Sequence, residues 1–127
     1  MTLWRRQRGQ QGEQIAADYL RQQGYRIQQQ NYRCRRGEID IIAWDSATLV
    51  FVEVKTKSHA AFGVPQAMVH RRKQRTIARV AMTYVQQYRV QDTALRFDVV
   101  AITFPVGGLP EVTHAPGAFS PPTAFFY

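Results

Sequence analysis

Two stretches dominated by Ile, Val, Phe and Trp, Ile39–Trp44 and Leu49–Val54, predict a pair of strands near 38–45 and 48–56. The polar Asp45-Ser46-Ala47-Thr48 between them is short enough for a hairpin turn. Helical spacing appears twice. Gly9–Gln23 sets Ile15, Ala16, Tyr19 and Leu20 on one face, with Gly24 as a C-terminal stop. Val64–Tyr88 is the longer pattern, with Pro65 in its first turn and Ile77, Val80, Ala81, Tyr84, Val85 and Tyr88 as its buried stripe. Tyr25–Gln30 predicts an earlier strand, and Leu95–Phe104, with the run Val99-Val100-Ala101-Ile102, a later one. After a turn at Pro105–Gly108, Leu109–Thr113 predicts a short edge strand. Tyr32–Gly37 and Ser58–Gly63 read as loops, the second a candidate for substrate contacts. Residues 1–8 read as a basic arm and 116–127 as an irregular Pro/aromatic tail. The order of elements predicts an α/β fold, a mixed central β-sheet flanked by helices, in one domain spanning 1–127.

Composition narrows the partners. Of 127 residues, 45% are apolar, enough for a core and too many for a disordered chain. No apolar run approaches the roughly 20 residues of a membrane span, and no signal-peptide segment follows the basic start, so a cytoplasmic protein without a membrane partner is expected. Cys34 is the only cysteine, which rules out an internal disulfide. The net charge is +8, and only Lys55, Lys57 and Lys73 among the 17 basic residues are lysines. Arginine suits bidentate phosphate contacts, so the expected partner is a polyanion, with nucleic acid, and DNA first, ahead of anionic lipid. No Gly-rich phosphate loop or dinucleotide fingerprint is present.

Against this positive background Glu38, Asp40, Asp45 and Glu53 crowd into one hairpin. A symmetric turn pairs residues whose numbers sum to 93, which sets Asp40 opposite Glu53 on the same face, with Lys55 two residues further along that face. Like charges opposed on a sheet are unfavourable unless a positive charge lies between them. Mg²⁺, or Mn²⁺ in its place, meets that need through Asp40, Glu53 and a backbone carbonyl near Val54, with Lys55 beside an attacking water. The competing reading is a set of cross-strand ion pairs, since the same register sets Glu38 opposite Lys55.

The segment "GEIDIIAWDSATLVFVEVKTKS" resembles the signature of the YraN family of bacterial proteins, which is similar to the PD-(D/E)xK nuclease superfamily and, within it, to archaeal Holliday junction resolvases. The resemblance runs from "GEQIAADYLRQQGYRIQQQNYR" to "RFDVVAI", and Gly12-Glu13, Gly37-Glu38, Phe51-Val52 and Arg96-Phe97-Asp98 add to the D…ExK pattern. It implies a restriction-endonuclease-like sandwich, with Asp40 and Glu53 as metal ligands and Lys55 as the catalytic lysine. Glu13 matches the helix acid that completes many resolvase-like sites. Ile39 stands where the motif's name has proline. Such folds are also retained for binding alone. For Glu13, a favourable place in the helix dipole is the competing explanation.

Arg71, Arg75 and Arg79 recur at helical spacing, with Arg72 and Lys73 beside them, either as a phosphate track or as an ordinary solvated face. Arg33, Arg35 and Arg36 precede the acidic strand and Lys57 follows it, placed to grip a nucleic-acid backbone. No base-reading motif is evident, so shape rather than sequence is the expected preference. His59, His70, His114 and Cys34 lack zinc-site spacing. Two functions remain open at this level: a Mg²⁺-dependent endonuclease of branched DNA, acting as a homodimer by the resemblance, and a non-catalytic nucleic-acid-binding module of the same fold.

Overall fold

The computed structural model describes residues 3–57 and 69–120. Helix α1 (Leu3–Gln22) leads into three strands, β1 (Arg26–Cys34), β2 (Gly37–Asp45) and β3 (Thr48–Lys57). Helix α2 (Arg71–Gln87) then crosses to β4 (Ala94–Thr103), and β5 (Glu111–Phe119) returns along the edge. The strands lie in sequence order in one sheet. Every neighbouring pair is antiparallel except β3/β4, which the α2 crossover makes parallel. The result is an α/β restriction-endonuclease-like sandwich.

The two helices cover opposite faces of the sheet. Ala16, Ala17 and Leu20 of α1 pack on Ile41, Ala43, Val50, Val52, Val100 and Ile102. Ile77, Ala78, Val80, Ala81 and Tyr84 of α2 pack on Ile39, Ile42, Leu49, Phe51, Phe97 and Val99. Burial on both faces explains why β3 and β4 read as continuous apolar runs. The buried α2 residues include four of the six expected from the stripe, while Tyr88 lies exposed beyond the helix end.

Two close approaches fix the helices. A β-carbon at Gly12 would overlap Thr56 Cγ2, so only glycine lets α1 lie this near β3. At Gly37, φ is +148° and a β-carbon would stand 3.2 Å from Thr76 Cγ2 of α2. Both a turn conformation and a close backbone approach therefore favour glycine there.

The elements differ from the sequence expectations at their ends, each for a local reason. Residues 3–8 are the start of α1 rather than a loose arm. Gln and Arg are good helix formers, but the apolar periodicity begins only at Ile15, so the polar turns were silent. Arg8 sets its guanidinium 4.5 Å from the centroid of the Phe104 ring. β1 continues to Cys34, so Tyr32–Cys34 is strand and only Arg35-Arg36 turns. Helix α2 begins at Arg71, and Val69 and His70 before it are not helical; Pro65 and Ser58–Gly63 lie outside the described residues. β5 runs on through Pro116 and Gly117 instead of ending at Thr113. A register shift opposite Phe97/Val99 absorbs the proline, which an edge strand tolerates. No helix among the described residues is long and apolar enough to cross a membrane.

Asp98, fully buried on β4, binds the far side of the sheet together. It accepts from Arg96 Nε at 2.9 Å, Tyr25 Oη at 3.2 Å and the Gly117 N–H at 3.0 Å, and meets His114 Nε2 at 2.8 Å. Arg96 also reaches Asp45 at 2.9 Å, tying β4 to the β2–β3 hairpin. Burial alone would raise the Asp98 pKa; the His114, Arg96 and Gly117 hydrogen bonds outweigh it and lower the value to about 2.

Gly12→Ala should lower stability by about 1–3 kcal/mol in denaturant unfolding, and Thr56→Ser, which removes Cγ2, should recover most of it; equal stability of the single variant and wild type would refute the close-approach argument. Because the folded-state pKa of Asp98 is depressed, its stabilisation is present above pH ~4 and lost as pH falls towards 2, on the order of 2 kcal/mol. Asp98→Asn should therefore destabilise at pH 7 and flatten the acid limb of the stability curve; a parallel, shifted acid limb would argue against this account.

Candidate metal centre and nucleic-acid interface

The hairpin keeps the register read from the sequence, from Asp45↔Thr48 to Ile41↔Val52. Ser46 at φ +54° opens the two-residue loop that sets it. Beyond Ile41 the ladder stops. Ile39 and Ile42, three residues apart, both join the α2-side core, whereas Ile41 faces α1. Strict alternation would separate Ile39 from Ile42, so the strand kinks at Asp40. Its neighbour on β1 kinks too: Asn31 has φ +56°, a conformation asparagine tolerates better than most residues. Asp40 and Glu53 thus do not face each other as a simple cross-strand pair. Asp40 Oδ2 instead accepts the Val54 N–H at 2.7 Å, sealing the end of the splayed ladder.

The kink gathers acids from three elements. Oxygens of Glu13 on α1 and of Glu38 and Asp40 on β2 lie within 4.8 Å of one another. Glu53 on β3 adjoins Asp40: burial first, then a carboxyl–carboxyl hydrogen bond to Glu53 and its charge, drives the Asp40 pKa strongly upward. Glu13 is also raised, by burial and then by Glu38, with Arg33 pulling the other way. Glu53 is only 8% exposed, and its Oε2 has no hydrogen-bond partner among the described residues. Lys73 Nζ stands 3.5 Å from that oxygen, an ion pair without hydrogen-bond geometry. Lys55 follows two residues after Glu53 on the same face of β3, half-buried.

The sequence reading grouped Glu38 with the hairpin acids but gave it no ligand role, and the competing reading set it opposite Lys55; the splay removes that pairing and Glu38 binds Arg33 of β1 instead. Asn31 was not singled out. With its amide oriented by the hydrogen-bond network, its nitrogen donates to Glu13 Oε1 at 2.8 Å and Glu38 Oε1 at 3.2 Å. The available signal was a turn-former amid the strand pattern of Arg26–Cys34.

The basic residues divide into groups. Arg35 and Arg36 are exposed at the β1–β2 turn, and Lys57 is exposed at the end of β3. Arg71, Arg72, Arg75 and Arg79 are exposed on α2, away from its buried Ile77, Val80 and Tyr84. Lys73 departs from that group by turning to Glu53. Beside the acids, Arg6, Gln10, Gln14, Gln30, Asn31 and Arg33 help line a cleft of about 520 Å³. His114 belongs to the Asp98 network, and Cys34 is a free, half-buried thiol.

Fold and acidic cluster together define a restriction-endonuclease-like protein with a carboxylate-rich kink at the sheet. A family model described as uncharacterised protein family UPF0102 matches residues 12–102. A UPF0102 protein of Geotalea daltonii is 50% identical over 111 residues, 87% of each chain. One of Geobacter metallireducens is 45% identical over 119 residues, covering 94% of this chain and 97% of its own. Another, of Syntrophus aciditrophicus, is 52% identical over 95 residues, 75% of each. The chain belongs to the UPF0102 family.

The raised Asp40 pKa carries a sign. A carboxyl whose pKa rises on folding contributes its stability below its unfolded value and loses it as pH increases. Asp40→Asn keeps an acceptor for Val54 and adds a donor towards Glu53. In chelator it should raise the melting temperature by a few degrees at pH 7, roughly 1 kcal/mol, and by nothing near pH 4. A fall in melting temperature at pH 7 would contradict carboxylate crowding.

Proposed function

We propose that this protein is a metal-dependent endonuclease that hydrolyses phosphodiester bonds in branched DNA. The observation that carries the reading is the buried Glu53 Oε2, which lacks a hydrogen-bond partner among the described residues and lies beside Asp40. The Lys73 ammonium at 3.5 Å offsets the charge of that oxygen without donating to it, so a buried carboxylate oxygen is left for a more closely bound cation to take. All candidate ligands are oxygens, which suits Mg²⁺ or Mn²⁺ rather than zinc.

Asp40 and Glu53 would hold the ion, and Glu13 and Glu38, which each bring an oxygen within 4.8 Å of Asp40, would add ligands or bind its waters from that side. The N–H of Val54 points at Asp40, and the N–H and C=O of one strand residue share an edge, so the Val54 carbonyl faces the same gap. The ion, when bound, would neutralise phosphoryl charge and acidify a water. Lys55 orients the attacking water with its ammonium and stabilises charge developing on the phosphoryl oxygens. Asn31 holds Glu13 and Glu38 in place through its amide. Arg33, Arg35, Arg36 and Lys57 hold the backbone beside the site, and the exposed arginines of α2 hold it further along. Paired cuts across a junction need two such sites, hence a homodimer.

A cleavage assay with Mg²⁺ or Mn²⁺ on four-way junction, flap, duplex, single strand and structured RNA tests this. Wild type should cut the junction. Lys55→Ala and Glu53→Ala should lose at least about 100-fold in rate, and Glu53→Ala should bind DNA at least as well as wild type in chelator. Tight binding without cleavage on any substrate, unaffected by Glu53→Ala but weakened and less salt-dependent in Arg71→Ala/Arg75→Ala, would support the binding module instead.

A further inference from the structure

The first turn of α2 holds Arg71, Arg72 and Lys73 and no acid, and its N-cap, His70, makes no side-chain capping bond. Positive charge at a helix N-terminus is opposed by the helix dipole, so these residues gain nothing from the helix itself. Arg71 and Arg72 extend to solvent, whereas Lys73 approaches the sheet and sets Nζ 3.5 Å from Glu53 Oε2. The two partners are unequally placed. The Glu53 side chain is 9% exposed and Lys73 is 46% exposed. The carboxylate cannot leave, but the ammonium, on a flexible four-carbon stem, can. The contact supplies charge without satisfying the oxygen's hydrogen-bonding capacity. Lys55 follows two residues after Glu53 on the same face of β3.

We propose, on the basis of the metal-dependent reading above, that Lys73 is an exchangeable counter-ion of Glu53 that becomes a phosphate ligand. In metal-free protein it neutralises the buried carboxylate. Once a divalent cation carries that charge, the Lys73 ammonium is released to a phosphate oxygen of the nucleic acid at the site. Metal and nucleic acid are thereby coupled: the ion frees a cation that the substrate then uses. The same residue restrains metal binding in the absence of substrate and promotes substrate binding in the presence of metal.

Two measurements on the full-length protein test this without relying on cleavage. Mn²⁺ affinity is read from the electron paramagnetic resonance of the free ion for wild type, Lys73→Met, Lys73→Arg and Glu53→Gln. Affinity for a labelled four-way junction is read by fluorescence anisotropy in Ca²⁺ and in chelator. Lys73→Met should bind Mn²⁺ roughly three- to tenfold more tightly than wild type, the scale expected for losing a half-exposed competing charge, and Lys73→Arg should stay near wild type. Lys73→Met should also lose junction affinity several-fold in Ca²⁺ and much less in chelator. A merely structural lysine would weaken both ligands or neither, and would do so with or without metal. Unchanged or weaker Mn²⁺ binding by folded Lys73→Met, or by Lys73→Gln should the first variant melt early, overturns the counter-ion role. Equal loss of junction affinity in Ca²⁺ and chelator overturns the exchange. In both cases Mn²⁺ binding that Glu53→Gln abolishes would leave the metal reading standing. Wild type that binds no Mn²⁺, or binds it independently of Glu53, overturns both.

Discussion

Asp40 Oδ2 takes the Val54 N–H that a continuing β2–β3 ladder would have given to a backbone carbonyl. The site is built around that substitution of side chain for main chain. It lets the two strands part without orphaning a buried donor, which would otherwise cost on the order of 1–3 kcal/mol. It also fixes one carboxylate oxygen and leaves the rest of the group beside Glu53. The kink that brings Asp40 there is matched by Asn31 on β1, whose amide then reaches Glu13 and Glu38. Glu13 arrives because Gly12 lets α1 lie against Thr56. The cluster thus follows from one interrupted ladder and one tight helix–strand contact.

The interior separates stability from chemistry. The acidic cluster crowds like charges and raises the pKa of Asp40 and Glu13, an arrangement that costs folding energy. On β4, in register with Val52, Asp98 is fully satisfied by Arg96, Tyr25, His114 and Gly117, and its pKa is depressed. One buried carboxylate network is stabilised by complete hydrogen bonding, and the other is left with an open oxygen at Glu53. Asp45 belongs to the first network through Arg96, although its sequence position had grouped it with the acids of the second.

Much of this was legible in the sequence because it depends on short-range pattern. The hairpin register, the two-sided burial of β3 and β4, and the apolar stripe of α2 all follow from alternation and helical spacing. What escaped was set by tertiary packing. The extra turns of α1 carry no apolar period. The Pro116-Gly117 bulge sits in a strand because Asp98 binds the Gly117 N–H, a partner 19 residues away. Glu38 changed partner because the strands splay, and Lys73 left the basic helix face because a buried carboxylate lay within reach. No one-dimensional pattern encodes a break in a ladder.

The parallel pairing of β3 with β4 has a consequence for how the chain comes together. Every pair along it, from Thr48↔Ala94 to Lys57↔Thr103, joins residues 46 positions apart. The β1–β2–β3 meander can close from local contacts while the chain is still emerging, but β3 then offers an open apolar margin until the crossover is complete. Lys73 lies within that crossover, so Glu53 meets its ion-pair partner only once α2 packs on the sheet, whereas Glu38 already has Arg33 within the meander. A chain cut short before β4 would therefore retain an unpaired β3 margin prone to self-association.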